Sequence, residues 1–237
     1  ENTRPDDQAG CSHDVGAPFP MGRRFVFYGD VMSADETQTQ ALREAETHMR
    51  KGAFEAALQV LEPVLSDAPD HVDALYMRAV CQRYLKQGHD ARATLDHLLR
   101  VAPEFGRGLQ EDGHLFRDQG DRDRALGSYR AAVRANPALH AAWSAQAQIL
   151  AEQGRADEAR LAQAQADQIK ALPPALQAAM HHLHENRLLK AENLCRSWLT
   201  QNPKDVAGMR LLAEIGSRLG VLEDAEFLLE SAVTFEP

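Results

Sequence analysis

Disulfide frameworks and zinc clusters need cysteines, which this chain uses sparingly, and bilayer spans need long apolar runs, which it lacks. Its 237 residues hold three cysteines, Cys11, Cys81 and Cys195, odd in number and far apart. Without a C-x-x-C pair, neither a disulfide framework nor a zinc site is predicted, and a reducing cytoplasm is the expected setting. No apolar run approaches the roughly 18 residues that cross a bilayer, so no membrane partner is predicted. Positive charge is also short: 26 Lys and Arg face 35 Asp and Glu, a net charge of −9. Neutralising phosphates needs a basic field, which excludes nucleic acid as a general partner.

What the chain has in abundance is period. Ala57, Ala91, Ala125, Ala159, Ala191 and Ala225 are 34, 34, 34, 32 and 34 residues apart, and Pro69, Pro103, Pro137, Pro203 and Pro237 each follow an alanine by twelve. A small residue at a fixed place in a 34-residue unit, with a proline near its end, predicts six helical hairpins sharing one core. Residues 1–31 stand outside the period and read as a disordered or non-native leader.

The third unit, Gly106 to Pro137, shows the pattern most fully. Leu109, Gly113 and Phe116 make one face of its first helix, with the glycine where the partner helix comes close. Gly120 ends that helix in the left-handed conformation. Ala125, Tyr129 and Ala132 then stripe the second helix, which Pro137 stops. Gly52, Gly154 and Gly220 repeat the turn glycine, and Asn186 replaces it in the fifth unit. The second unit has Lys86 there and a glycine only at Gly88, which leaves its first helix open by two positions. In the fourth unit, Ala159 to Ala171 is nearly all small or polar, with Gln163 and Ala166 read as its core positions. The short interval and Pro173-Pro174 place a joint here, between units 1–4 at residues 32–171 and units 5–6 at residues 172–237.

The order of bulky residue, Gly or Ala, turn Gly, fixed Ala, aromatic or Leu, second Ala and Pro resembles the tetratricopeptide repeat from Gln38 to Pro237. The resemblance implies an all-α, right-handed superhelical solenoid of about six antiparallel helix-turn-helix hairpins, whose first helices line a concave groove that binds a protein or peptide segment. A narrower likeness is carried by the stretch from Leu211 to Glu230, LLAEIGSRLGVLEDAEFLLE, with Lys190-Ala191-Glu192-Asn193-Leu194-Cys195 before it. These residues resemble the region ahead of the catalytic domain in bacterial tetratricopeptide-repeat sulfotransferases. That likeness implies a region that positions the acceptor or dimerises, and phosphoadenosine phosphosulfate as cofactor if such a domain follows residue 237. An adaptor of a glycosyltransferase or secretion system is the remaining alternative. The array ends at a unit boundary without a polar capping helix, so further protein is expected after it.

The residues supply little catalytic chemistry, and this segment is predicted not to be an enzyme. No strand, phosphate loop and helix occur in succession, and no cofactor is expected within the segment. His181-His182-Leu183-His184-Glu185 is the densest cluster of potential metal ligands, yet its order fits no zinc-helix motif and it reads as a packed or solvated helix face. No serine sits in a Gly-x-Ser-x-Gly elbow. The pair Glu111-Asp112 reads as helix-starting or solvent-facing charge.

Function is therefore expected in the groove. The inward positions that the resemblance implies are Met49, Arg50, Asp73, Tyr76, Met77, Arg83, Tyr84, Arg107, Gln110, Glu111, His114 and Arg117, followed by Gln148, Met180, His184, Arg210, Glu214 and Arg218. Met, Tyr, Arg and His in one channel suit an extended peptide, with cations to hold its carboxylates. Leu42, Glu46, Met77, Arg107 and Glu111 stand where chaperone-tail-binding members carry Lys, Asn, Asn, Lys and Arg. Only Arg107 keeps a matching charge, so that mode of binding is not expected.

Overall fold

A computed structural model describes residues 34–235; the leader and the last two residues, Pro237 among them, lie outside the described residues. Twelve helices and no strand occur among the described residues. They form six pairs: α1 (Ala34–Arg50) and α2 (Phe54–Asp67), α3 (Val72–Tyr84) and α4 (Gly88–Val101), α5 (Gly106–Asp118) and α6 (Arg122–Ala135), α7 (His140–Glu152) and α8 (Ala156–Ala171), α9 (Pro174–His184) and α10 (Leu188–Gln201), α11 (Val206–Leu219) and α12 (Leu222–Phe235). Each pair packs on itself, giving an all-α solenoid of the predicted hairpins. No described helix is long and apolar enough to cross a membrane.

One hydrogen-bond pattern closes all six turns inside the hairpins. In the third, Gly120 N–H donates to Arg117 C=O at 2.9 Å and Asp121 N–H to Phe116 C=O at 2.9 Å. This double closure of a helix C-terminus requires a left-handed residue, and Gly52, Gly120, Gly154 and Gly220 have φ between 73 and 82°. Asn186 fills the position at φ 57° and Lys86 at φ 61°. The second unit therefore keeps the common register, and Gly88 is the first residue of α4, not the turn residue.

The fixed alanine follows from the same turn. Its N–H closes the first turn of the second helix, as Ala125 N–H does on Asp121 C=O at 3.0 Å, and its methyl packs where the two helices cross. Ala57, Ala91, Ala125 and Ala191 are wholly buried there. Gly113 in α5 faces the ring of Tyr129 in α6 so closely that a Cβ would lie 2.7 Å from two ring carbons. The aromatic thus takes the space that the missing side chain leaves.

Two readings need correction. Gln163 is exposed, and the buried positions of α8 are Ala159, Ala162, Ala166 and Ile169. In a helix this rich in alanine, several stripes are equally small, so spacing alone misplaced the inward one. Glu111 and Asp112 are not solvent-facing but buried. Arg83 donates to Glu111 at 2.7 Å, while Arg92 and Ser128 each donate to Asp112 at 2.5 Å.

The buried apolar side chains form three clusters, one through α1 to α5, one through α6 to α8 and one through α9 to α11. The last two stop at Ala162 and start at Leu176, and α8 makes little contact with α9. The turn there also differs. In the linkers holding Pro69, Pro103, Pro137 and Pro203, the residue before proline donates its N–H four residues back into the preceding helix. Before Pro173, Leu172 reaches only three residues back, to Ile169 C=O at 3.2 Å, and the Pro173 C=O accepts from Leu176 and Gln177 to start α9 at once.

Candidate functional site

The face shared by α1, α3 and α5 carries a compact charged cluster. Arg107, in the first turn of α5, donates to Glu185 Oε1 at 2.5 Å and Oε2 at 3.0 Å, and to Asp73 of α3 at 3.1 Å. Its guanidinium lies 4.7 Å from the Tyr76 ring and 5.0 Å from the Phe105 ring. Two aromatic faces thereby hold a planar cation in place. Arg187, just after the α9–α10 turn, donates to both oxygens of Asp73 at 2.6 and 2.7 Å. Glu185, in that turn, has a side chain only 7% exposed.

Electrostatics keep Arg107 and Asp73 ionised. Burial works against the Arg107 charge but is outweighed by the Glu185 carboxylate, so the pKa of Arg107 is raised. Burial likewise favours neutral Asp73, and the hydrogen bond and charge of Arg187 overcome it, lowering the Asp73 pKa. The Tyr76 hydroxyl is pushed up to about 12, first by burial and then by the Glu111 charge.

Further along the same face, Arg83 spans Glu111 at 2.7 Å and Asp118 at 3.5 Å and lies 4.6 Å from the Tyr84 ring. Burial, opposed by Arg83, raises the Glu111 pKa. His114 Nδ1 is hydrogen-bonded to the Tyr129 hydroxyl at 2.6 Å. Burial, followed by the charges of Arg83 and Arg117, depresses His114 to about 4, and burial lifts Tyr129 to about 12. At neutral pH the imidazole is uncharged and both hydroxyls are protonated. The arrangement can hold carboxylates and donate hydrogen bonds.

Of the predicted groove residues, Tyr76, Arg83, Arg107, Gln110 and His114 come together on α3 and α5, with Arg117 exposed at the end of α5. Gln110 Oε1 is buried without a hydrogen-bond partner. Met49 packs on the first apolar cluster and Met180 on the third. Gln148 is exposed on α7. His184 lines a cavity of about 620 Å³ together with Phe105, Asn136 and Arg187. Arg210 lies elsewhere, on a cavity of about 820 Å³ between α11 and α12, and Arg218 pairs with Glu214 at 3.1 Å. The cations predicted to be open to a partner's carboxylates, Arg83 and Arg107, are bonded to carboxylates of the chain itself.

Sequence reasoning missed Glu185 and Arg187. They stand 78 and 114 residues from Arg107 and Asp73, a separation to which local periodicity is blind. His181 and His182, read as part of a helix face, line a further cavity of about 590 Å³ between α1, α3, α5 and the α9–α10 hairpin. No group of three or more His, Cys, Asp or Glu among the described residues could hold a metal ion.

Two tetratricopeptide-repeat models match residues 48–108 and 112–173, together just over half of the chain. A thermophilic TPR protein of Thermus thermophilus, TTC0263, is 24% identical with a TM-score of 0.51, over 77% of this chain and 98% of that one. The structure of Naa15/Naa10 bound to HypK-THB aligns with a TM-score of 0.51 at 18% identity, over 84% of this chain and 31% of that one. MamA is 14% identical, over 81% of this chain and 94% of that one, with a TM-score of 0.43. At these identities the likeness is one of fold. No curated protein sequence matches the chain. The resemblance to sulfotransferase repeat regions gains no support from these comparisons. With its family models, its six left-handed turns and its buried alanines in agreement, the chain belongs to the tetratricopeptide-repeat proteins.

Proposed function

We propose that the chain is a non-catalytic scaffold that binds an extended protein segment on the face of its first helices, centred on α3 and α5. The observation that carries this reading is the concentration there of ring-backed guanidiniums beside unsatisfied and exposed polar groups. Arg107 and Arg83 lie against aromatic rings, Gln110 keeps an acceptor without a partner, and Arg117 is exposed beside them. Together they offer a peptide an apolar wall, an open acceptor at Gln110 and an exposed donor at Arg117. Attachment to a sulfotransferase domain, with phosphoadenosine phosphosulfate as its cofactor, or to a glycosyltransferase or secretion apparatus rests on sequence likeness alone.

A peptide array probed with the labelled chain tests the reading, comparing wild type with a Gln110→Ala, Arg117→Ala double variant that leaves the buried ion pairs intact. Capture should fall by about tenfold or more in the variant, as loss of two polar anchors implies. Unchanged capture of every bound peptide would place the binding face elsewhere.

A further inference from the structure

The Arg107 site already contains a carboxylate, and it comes from a turn 78 residues further along the chain. Glu185 reaches Arg107 with both oxygens, at 2.5 and 3.0 Å, the geometry by which a guanidinium holds a bound acidic residue. Asp73 accepts from Arg107 and Arg187 together, so two guanidiniums and two carboxylates neutralise one another. Removing the Glu185 charge would leave one guanidinium uncompensated between the Tyr76 and Phe105 rings. Beside the cluster lies the cavity of about 590 Å³, where Arg43 of α1 and Lys190 of α10 face the same space. Neither is ion-paired among the described residues, although Glu46 of α1 lines the same cavity. The apolar cluster of α9 to α11 is separate from that of α1 to α5, so buried apolar packing does not tie the hairpin tip to α3 and α5.

We propose that Glu185 is an internal ligand of the Arg107 site, and that the partner of this face is an acidic protein segment. One carboxylate of that segment replaces Glu185, while its neighbours reach Arg43 and Lys190. The inference rests on the peptide-binding reading above and adds the partner's chemistry and the competition that controls its access. A site filled by its own chain binds a competitor with an affinity reduced by the fraction of molecules that are open. Releasing the tip therefore tightens binding without creating any new contact.

Fluorescence anisotropy at low salt with labelled octaglutamate, and with octaglutamine as the neutral control, tests this on the full chain. Glu185→Gln should bind octaglutamate about tenfold tighter than wild type, with no such gain for octaglutamine. Adding Arg107→Gln should abolish the gain. The net charge of −9 opposes non-specific capture of a polyanion, so the gain reports a local site. Arg187→Gln frees the tip from Asp73 while leaving Glu185 in place, and a smaller gain in that variant guards against a Glu185→Gln chain that folds poorly. Equal octaglutamate binding by wild type and Glu185→Gln, or a gain that survives loss of Arg107, overturns the inference. If array peptides still depend on Gln110 and Arg117 in that case, the binding face stands and only the internal ligand falls; if they do not, both fall.

Discussion

The linker from α6 to α7 and the linker from α8 to α9 both carry proline, yet they join their hairpins by different physics. At the first, buried Asn136 accepts from Ala138 N–H at 3.0 Å, Ala138 and Leu139 are buried, and one apolar cluster runs through both hairpins. At the second, the cluster stops, and the next hairpin is tied instead to α3 and α5 by the charges of Asp73, Arg107, Glu185 and Arg187. Proline ends the helix in both places, so it does not decide which outcome follows. The preceding helix does. α6 buries Leu126, Tyr129 and Val133, whereas α8 buries three alanines and Ile169. Each absent methylene forgoes about 0.8 kcal/mol of burial, and an alanine stripe gives a following hairpin little to stack on.

The largest effect is expected at the apolar junction. Tyr129→Ala should cost about 3–5 kcal/mol in urea unfolding, because it empties a fully buried site facing Gly113. Ile169→Ala in α8 should cost about 2 kcal/mol, at the low end for a buried aliphatic side chain. Equal losses would show that α8 is no weaker a neighbour than α6.

Acid comes next in size. His114 is held neutral, with a pKa near 4 in the folded chain against an ordinary 6.5. Between these values the unfolded chain binds the extra proton, so stability falls as pH drops from about 6.5 to about 4, by at most about 3 kcal/mol. His114→Gln should flatten that limb of the stability–pH curve. A curve unchanged by the substitution would mean that His114 does not titrate as its burial implies.

A double-mutant cycle on Arg107→Gln and Glu185→Gln should give a coupling of about 1.5 kcal/mol or more, as for a close, desolvated charge pair. A coupling near zero would reduce the cluster to surface charge. The smallest effect belongs to Lys86, whose left-handed backbone strains a residue with a Cβ. Lys86→Gly should stabilise the chain by about 1 kcal/mol, and a loss of stability would mean that the lysine side chain contributes more than its backbone strain costs.

The hairpins were legible because their chemistry is local. A turn glycine, the alanine five residues later and a proline twelve beyond that are all set by one helix end and one helix crossing. Lys86 was harder, since lysine has no preference for left-handed geometry and the surrounding turn imposes it. The burial of Glu111 and Asp112 was not legible, because it depends on Arg83 and Arg92 in neighbouring units. Within the site, residue types on α3 and α5 were foreseen from the repeat frame, but their occupancy was not. Whether Arg107 faces solvent or a carboxylate is decided by where the α9–α10 turn lands, and only the shortened interval before Ala191 hinted that this hairpin departs from its predecessors.

Charge docks the α9–α10 tip on the face of α3 and α5. Glu104 and Asn186 are exposed and line the same cavity, so spin labels there report the docking directly. A single short, narrow distance distribution is expected in the wild-type background, broadening and lengthening with Glu185→Gln and Arg187→Gln together. A distribution that is already broad in wild type, or one that the two substitutions leave unchanged, would contradict docking by charge.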